Sequence, residues 1–433
     1  MVTRRQLLRS AGLLGLAGAA GTLPVEAQAP AGDTLPPSIA ALSSMRAQAR
    51  PITNDERLAR LEKARRLMGG AKLDAVLLTG GTSLTYFTGL RFGTSERLMA
   101  LVLPAKGEPF VVCPAFEVDR LNEQLRESPL RRVDIRAWHE NESPYRLVGA
   151  TLRERGIATG RLGIEETVRF VFSNGIAAAT PSLTLVSATP VVAGCRMIKD
   201  AHEVELLRVA SRATLACYEA LFKALQPGMT EATARTLVAA GYARLGFRGS
   251  VSVQVDTYTA LPHGSEQPQM LHPNSIVMVD DGCVAEGYQS DLTRTVVLGT
   301  ATDRMKRVFD LVSAAQRAAL AAAKPGVSLA SVDAAARKVI VDGGFGPGFT
   351  FFTHRLGHGL GMDMHEWPYL VEHNMYGWDS PTLQPGMVFS NEPGIYIPGE
   401  FGVRLEDDMV ITENGAELLT PPSRSIERPF DNP

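Results

Sequence analysis

The pattern of apolar and polar positions divides the chain into two regions of different organisation. In residues 51–192, short apolar runs alternate with helical patterns, which predicts a mixed α/β domain. The predicted elements are a helix at Asn54–Met68, strands at Ala75–Thr79, Leu98–Leu103 and Phe110–Cys113, and helices at Glu117–Arg126 and Tyr145–Arg155. In residues 196–421, pairs of helical patterns come before apolar runs that end in acidic residues. This order predicts a second domain, of α+β type.

The second region begins with a strong helix signal. Asp200 and Glu203 have the spacing of a capping box, and the helical pattern after them continues to about Leu225. Pro227 and Gly228 then end the helix. Further helices are predicted at Glu231–Leu245, Asp303–Ala323 and Leu329–Asp342.

Two aspartates flank a predicted hairpin. Asp280 ends the apolar run at residues 275–279, and Asp291 comes before the apolar run at residues 292–297. Glycines lie between the two runs, and the midpoint of the aspartate pair falls at residues 285–286. Because residues equidistant from a hairpin turn lie opposite each other on one face, these two carboxylates should face each other.

Two glutamates repeat this arrangement. The midpoint between Glu392 and Glu406 is Gly399, which lies in a Pro-Gly turn sequence between residues 395–397 and residues 403–405. A second hairpin should therefore bring a second pair of carboxylates together.

An internal repeat connects the two hairpins. The Pro-Gly step at Pro227 recurs at Pro325, and the His-Gly step at His263 recurs at His358, with offsets of 98 and 95 residues. The paired carboxylates follow at offsets of 112 and 115. Coincidence among common Pro-Gly turns is the alternative, but the ordered repeat favours two related helix-helix-sheet halves that share one cleft.

The four carboxylates and His358 have the composition of a metal site. Like charges 4 Å apart repel by about 4 kcal/mol at an effective dielectric constant near 20, so four converging carboxylates would resist folding or bind protons. Two divalent cations would cancel the four charges, and such a pair activates water at neutral pH. One histidine among carboxylates favours Mn²⁺, with Co²⁺, Fe²⁺ or Zn²⁺ as alternatives.

These residues lie in motifs that resemble a known family. Residues from about Arg196 to Leu419 are similar to the catalytic domain of the pita-bread metallopeptidases, the group that contains Xaa-Pro aminopeptidases, prolidases, methionine aminopeptidases and creatinase. The upstream α/β segment resembles the smaller N-terminal domain of the creatinase type. The motifs that carry the resemblance are Pro262–His263, Val279–Gly282, Gly287–Thr295, Thr353–Gly361, Met364–Pro368, Asn391–Tyr396 and Val403–Asp407.

The resemblance implies a pseudo-twofold fold and a role for each site residue. Asp280 would bind one metal ion, Asp291 and Glu406 would bridge both, and His358 with Glu392 would complete the second. In the family's scheme a metal-bridging hydroxide attacks the scissile carbonyl and Glu392 transfers its proton. The remaining implied residues are His365 at the oxyanion, His263 and His354 on the substrate side, and Arg404, which would orient the carboxylates.

Several of these residues have plainer alternatives. His263, His354 and His365 could be ordinary polar loop residues, as we expect for His139, His202, His272 and His373. Arg404 could be only a cross-strand ion-pair partner. Glu366 and Asp407, next to site residues, are expected to be supporting or solvent-facing.

The resemblance implies an exopeptidase that hydrolyses Xaa-Pro bonds, either an aminopeptidase or a dipeptidase, with a peptide carrying proline in second position as substrate. Tyr288, Trp367 and Tyr396 are candidates for the proline pocket. Two alternatives remain: another amide or amidine hydrolase on the same scaffold, or a binding module without turnover. The full ligand set argues against the second. The family often forms homodimers.

The N-terminus predicts export. Arg4 and Arg5 come before an apolar stretch from about Ala11 to Leu23 and a small-residue cleavage site near Ala27 or Ala29. This is typical of a signal peptide over residues 1–29, of the twin-arginine type or an ordinary secretory signal that contains two arginines. The expected location is periplasmic or extracellular, with no membrane anchor after cleavage.

Composition agrees with a soluble enzyme of two domains. The chain has 433 residues, 45% of them hydrophobic and 21% charged. Cleavage would remove three arginines and one glutamate and shift the net charge from −2 to −4, which gives no indication of nucleic-acid binding. A Pro/Ala/Ser-rich stretch at residues 30–50 is predicted as a flexible linker or arm. The four cysteines lack metal-ligand spacing, and free buried thiols are expected, although a disulfide is possible after export.

Overall fold

A computed structural model describes residues 35–374 and 381–431 of the chain. The predicted signal peptide, residues 1–29, and residues 30–34 lie outside the described residues. Along the described part, no helix combines the length and the apolar character needed to cross a membrane.

The described part of the predicted linker, residues 36–50, is a packed arm. It contains a short helix, α1 at Pro37–Ala40, and the Ile39 side chain is fully buried. The Ser38 hydroxyl donates to Ala220 O at 2.7 Å, and Met45 N donates to Leu245 O at 2.9 Å. A flexible linker is therefore wrong over this range, because backbone and side-chain hydrogen bonds attach it to the helices that follow.

The N-terminal half is built on a six-stranded mixed sheet. The strands are β1 (Ala75–Thr79), β2 (Ala100–Pro104), β3 (Phe110–Pro114), β4 (Asp134–Trp138), β5 (Gly160–Ile164) and β6 (Leu183–Ser187), in the order β4-β3-β2-β1-β5-β6. The helices are α2 (Asn54–Ala71), α3 (Thr82–Thr88), α4 (Val118–Leu125), α5 (Pro144–Glu154), α6 (Phe170–Ala179) and α7 (Thr189–Arg196). Helices and loops cover both faces, so the central strands are continuous apolar runs. In β1, Val76 and Leu78 enter one core while Ala75 and Leu77 enter the other.

The C-terminal half consists of two helix-helix-sheet units. The first unit contains α8 (Ala201–Ala224), α9 (Glu231–Leu245), β7 (Arg248–Gly249), β8 (Ser252–Val255), β9 (Ile276–Asp280), β10 (Cys283–Ala285), β11 (Tyr288–Gln289) and β12 (Arg294–Val297). The second unit contains α10 (Asp303–Ala322), α11 (Leu329–Asp342), β13 (Gly357–Gly359), β14 (Glu366–Leu370), β15 (Val388–Asn391), β16 (Gly394–Tyr396), β17 (Gly402–Arg404), β18 (Asp407–Ile411) and β19 (Ala416–Leu418). The predicted α+β, duplicated pita-bread fold with a smaller α/β domain before it is confirmed.

Local signals account for the helix boundaries of this half. The Asp200 carboxylate accepts a hydrogen bond from Glu203 N at 2.9 Å, and the Glu203 carboxylate accepts one from Asp200 N at 3.0 Å, so the predicted capping box begins α8. Thr230 and Ser328 cap α9 and α11 after the two Pro-Gly turns. All four cysteines are buried and free, which confirms the expectation of unpaired thiols.

Candidate metal centre

The turn of the first hairpin lies one residue later than its sequence predicts. Ala285 pairs with Tyr288 across a two-residue turn, Glu286–Gly287, and both turn residues have positive φ, at 51° and 92°. The same register continues to Arg294 opposite Val279, so Asp280 lies opposite Thr293 and not opposite Asp291. The prediction of directly facing aspartates is therefore wrong by two positions. Because two residues is one full period of a strand, both aspartates still share a face.

The second hairpin has the predicted register. Its turn contains Gly399 with φ 77°, and Gly394 pairs with Arg404, which places Glu392 opposite Glu406. The register continues beyond the glutamates, where Asn391 pairs with Asp407. The two hairpins therefore each deliver a pair of carboxylates to one cleft.

The five predicted ligands converge into two overlapping groups. Oxygen atoms of Asp280, Asp291 and Glu406 lie within 4.8 Å of one another. Ligand atoms of His358, Glu392 and Glu406 meet the same limit, so Glu406 belongs to both groups. This arrangement of four carboxylates and one imidazole supplies the oxygen and nitrogen donors that divalent cations bind.

Backbone proximity holds His358 in position. A Cβ on Gly357 would lie 2.0 Å from Ser390 O, and a Cβ on Gly359 would lie 2.2 Å from Trp367 O, so only glycine fits on either side. His358 Nδ1 is 3.2 Å from Gly359 O, while Nε2 is 3.2 Å from Glu392 Oε1. An imidazole that donates Nδ1–H to this carbonyl presents the Nε2 lone pair to the cluster.

Electrostatics supports cations at this cluster. Burial, together with Asp280, raises the pKa of Asp291 well above its ordinary value, and burial together with Asp291 does the same for the pKa of Glu406. Both carboxyls thus disfavour ionisation in the protein alone. The buried Glu406 Oε1 also has no hydrogen-bond partner among the described residues. An unpartnered carboxylate oxygen in a cluster of excess negative charge fits a bound cation.

Arg404 contacts the cluster from one side. Its Nη2 forms an ion pair with Asp280, and its Nε donates to Thr293 Oγ1 at 3.0 Å. Its Nη1 donates to the Tyr396 hydroxyl at 2.8 Å. Arg404 was interpreted either as a residue that orients the carboxylates or as an ion-pair partner. The two interpretations coincide, because the ion pair itself fixes the orientation of Asp280, a predicted metal ligand.

The predicted histidines border a cavity of about 850 Å³ beside the cluster. His365 stacks on His358 with ring centroids 3.7 Å apart, and one of its nitrogens lies within 4.8 Å of ligand atoms of Asp291 and His358. Burial, with help from His358, lowers the pKa of His365 to about 4, so its imidazole is neutral at neutral pH. His354 Nε2 is 2.7 Å from the Tyr396 hydroxyl. His263 also lines the cavity and belongs to none of the three possible metal-binding groups.

Three supporting residues were missed by the sequence interpretation. The Thr293 hydroxyl lies 2.6 Å from Asp280 Oδ1 and 2.6 Å from Glu406 Oε2. The Ser390 hydroxyl donates to Glu392 Oε1 at 3.0 Å, and Asp408 Oδ2 accepts from Asp291 N at 3.2 Å. Each stands two positions from a ligand in the same strand region, so alternation along the strand could have identified all three.

Other expectations need correction. Tyr288 is not in the cleft, because it is buried between Arg60 and Glu203 with its hydroxyl 2.8 Å from each. Trp367 is packed in the core, and Tyr396 lies behind His354 as a hydrogen-bond partner. Asp407 is fully buried against Arg294, and Glu366 is buried against Arg196 and Lys199. Of the two alternatives expected for these acids, the supporting role is therefore confirmed, and neither acid faces solvent.

The fold and the cluster together define a pita-bread hydrolase that uses metal ions. Residues 205–413 match metallopeptidase family M24, and residues 60–198 match the creatinase/prolidase N-terminal domain. The chain belongs to metallopeptidase family M24 and is a metallopeptidase of the prolidase type.

Individual relatives agree with this assignment. The probable dipeptidase PepE of Mycobacterium tuberculosis is 37% identical, over 82% of this chain and 92% of that protein. The Xaa-Pro dipeptidase of Lactobacillus delbrueckii subsp. lactis is 31% identical, over 85% of this chain and 98% of that protein. The crystal structure of dipeptidase PepE from Mycobacterium ulcerans superposes with a TM-score of 0.80 and 36% identity, covering 88% of this chain and 99% of that one.

Proposed function

We propose that the protein is an exported dinuclear-metal dipeptidase that hydrolyses Xaa-Pro bonds. The observation that carries the dinuclear assignment is the pair of overlapping ligand groups, with Glu406 common to both and its Oε1 unpartnered. Mn²⁺ is the ion proposed, with Co²⁺, Fe²⁺ and Zn²⁺ as alternatives, because carboxylates dominate the donor set. Metal analysis of the purified protein, with recovery of activity for each metal after chelation, tests the number and identity of the ions.

The residues of the site divide the chemistry between them. Two divalent cations, when bound, would polarise the scissile carbonyl and lower the pKa of water. Glu392 Oε2 faces the cavity near His354 Nδ1, at 3.8 Å, and is placed to accept a proton and pass it to the leaving nitrogen. His365 is neutral and can donate an N–H to the developing oxyanion. Arg404 holds Asp280 in orientation throughout.

The substrate proposal rests on the relatives and on the cavity lining. An Xaa-Pro bond is a tertiary amide with no N–H, so recognition depends on an apolar ring pocket and not on a donor. Phe349, Met364 and Val371 supply apolar lining. Arg355 also lines the cavity, and no carboxylate among the described residues lies within 4 Å of its guanidinium. We assign Arg355 to the C-terminal carboxylate of a dipeptide, which favours a dipeptidase over an aminopeptidase.

A panel of four substrates tests this proposal. The metal-loaded enzyme is given an Xaa-Pro dipeptide, the same dipeptide as its C-terminal amide, an Xaa-Pro-Yaa tripeptide and a proline-free dipeptide. We expect the Xaa-Pro dipeptide to be hydrolysed fastest. Equal rates with the proline-free peptide would remove the Xaa-Pro assignment, and turnover of only non-peptide amides would favour another amide hydrolase.

The variant Arg355→Leu distinguishes loss of the contact with the substrate carboxylate from a general loss of activity. It should raise KM for the dipeptide about tenfold or more, as expected for one charge-assisted contact, and leave KM for the amide unchanged. Arg355→Lys should recover part of the loss because it keeps the charge. If Arg355→Leu affected dipeptide and amide equally, the assignment of Arg355 would be wrong.

Export is proposed from the leader sequence alone. Arg4 and Arg5, followed by an apolar stretch, support the twin-arginine route, which would deliver a folded, metal-loaded enzyme to the periplasm or beyond. The variant Arg4→Lys/Arg5→Lys should accumulate inside the cell with its leader uncleaved. Undiminished export would indicate an ordinary secretory signal.

A further inference from the structure

A second cavity, of about 690 Å³, lies apart from the metal centre. The arm contributes Arg46, the N-terminal half contributes Arg57 and Arg91, and the C-terminal half contributes Arg248 and Glu286. No residue lines both this cavity and the one beside the metal ligands. Its volume falls in the range of about 300–1,000 Å³ that small-molecule sites occupy.

The lining has a large excess of positive charge. Five arginines and one glutamate line the cavity: Arg46, Arg57, Arg60, Arg91, Arg248 and Glu286. Arg60 is compensated by Glu203 at 3.3 Å, outside the cavity lining, and Arg46 pairs with Glu286. The other three have no carboxylate within 4 Å among residues 35–374 and 381–431. This part of the protein therefore presents three uncompensated guanidinium groups to one space.

The fold holds the Arg57 side chain in place at this cavity. Gly89 ends α3 with φ 77°, and a Cβ there would lie only 3.1 Å from the Arg57 guanidinium carbon, so glycine makes room for the side chain. Arg57 Nε is buried without a hydrogen-bond partner among the described residues. Burial and the nearby charges of Arg60 and Arg91 lower the pKa of Arg57. A partly buried cation beside like charges is costly unless an anion compensates it.

We propose that this cavity binds a small molecule that carries a chain of phosphate groups, such as a polyphosphate or a nucleoside polyphosphate. Guanidinium groups pair with phosphate oxygens in a bidentate manner, and three of them from separate segments match several phosphates better than one carboxylate. The bound anion would join the two halves, because Arg57 and Arg91 come from the N-terminal half and Arg248 from the C-terminal half.

Isothermal titration calorimetry on the metal-loaded enzyme tests the proposal with tripolyphosphate, ATP and citrate. Tripolyphosphate should bind, and citrate should bind at least about tenfold more weakly. The variant Arg57→Gln/Arg91→Gln should weaken tripolyphosphate binding by about tenfold or more, as expected when two charge-assisted contacts are lost. The matched control is Arg131→Gln/Arg132→Gln, which removes two exposed arginines outside both cavities and should bind like the wild type.

The comparison between variants also controls for chelation. Phosphate chains remove divalent ions, but any heat from the metal centre is the same in the wild type and both variants. ATP binding as tight as that of tripolyphosphate indicates recognition of the phosphate chain alone, whereas tighter ATP binding adds a nucleoside contact. Should Arg57→Gln prevent folding, the exposed Arg91→Gln alone gives the same comparison. Equal tripolyphosphate binding by the wild type and the cavity variant, or equal binding of citrate, overturns the proposal.

Discussion

Two buried clusters of charge in this protein have opposite compositions. In the first, Arg196 and Lys199 pair with Glu366, with Lys199 Nζ 2.8 Å from Glu366 Oε1, and Arg196 also contacts Asp363. Although burial raises it, the pKa of Glu366 is lowered by these two cations. In the metal centre, by contrast, the pKa values of the buried carboxyls of Asp291 and Glu406 are raised.

This difference in charge balance distinguishes the cluster around Glu366, which is structural, from the metal centre, which is a binding site. The cluster around Glu366 contains its own counter-charges and joins the last helix of the N-terminal half to β14, the strand that begins beside His365. The metal centre has four carboxylates, and along the part of the chain that the structure describes only Arg404 contacts them as a permanent cation. A buried charge cluster that the protein does not neutralise is one that a ligand must complete. The arginine-lined cavity has the opposite imbalance, because it carries excess positive charge that an anion would neutralise.

The largest expected effect comes from Glu406→Gln, which removes the carboxylate that belongs to both metal groups. We expect kcat/KM on an Xaa-Pro dipeptide to fall by about 10³-fold or more, equivalent to about 4 kcal/mol of transition-state stabilisation. Metal content, measured by elemental analysis, should fall in parallel. Asp407→Asn, at the adjacent buried carboxylate that pairs with Arg294, is the comparison, and it should lower stability while retaining bound metal.

A comparison of the metal-free wild type with metal-free Glu406→Gln provides a second test of the role of Glu406. Removing a repelled carboxylate should leave Glu406→Gln at least as stable as the wild type when both are treated with a chelator. A variant that retains bound metal and wild-type kcat/KM would contradict the role of Glu406.

The second prediction is for Glu366→Gln in the balanced cluster. Among the described residues, this change leaves the partly exposed Asp363 as the one carboxylate within 4 Å of the buried Arg196 and Lys199, so we expect a loss of about 3–5 kcal/mol in the free energy of unfolding. Urea denaturation of the metal-loaded protein measures it. The matched control is Glu400→Gln, in the exposed pair with Arg304, which should cost no more than about 1 kcal/mol. Equal losses in the two variants would show that the cluster around Glu366 is not important for stability.

How far the sequence predicts this molecule depends on how local each signal is. The ligand cluster was predicted because each hairpin has turn residues close to its carboxylates. The first register was still misplaced by two residues, because Glu286 adopts positive φ and supplies half of a two-residue turn that glycine pairs more commonly form. Because a shift of two residues keeps both aspartates on the same face of the hairpin, the predicted convergence of the carboxylates is still correct.

Two kinds of feature could not be predicted from the sequence: strands with a weak local pattern, and sites formed by distant segments. Strand β4 has partly exposed positions and β5 contains two glycines, so neither shows the apolar pattern that indicates β1. The arginine-lined cavity joins residues more than 150 positions apart, such as Arg57 and Arg248, and no periodicity connects them. The arm before residue 51 has the composition of a linker because it is poor in large apolar residues, yet Ile39 provides a fully buried anchor.

The third prediction is a dependence of stability on pH that chelation reveals. In the metal-free protein the folded-state pKa values of Asp291 and Glu406 are raised above their unfolded values, so their protons stabilise the fold at low pH. That contribution is fully present below about pH 4 and is lost as the pH rises through the folded-state values, by up to about 1.4 kcal/mol per pH unit for each group. With metal bound, stability should rise with pH instead, because ligands must lose their protons to bind cations. Urea denaturation between pH 5 and pH 8, with and without chelator, should therefore give slopes of opposite sign, and parallel slopes would mean that these carboxyls do not compete with protons for metal.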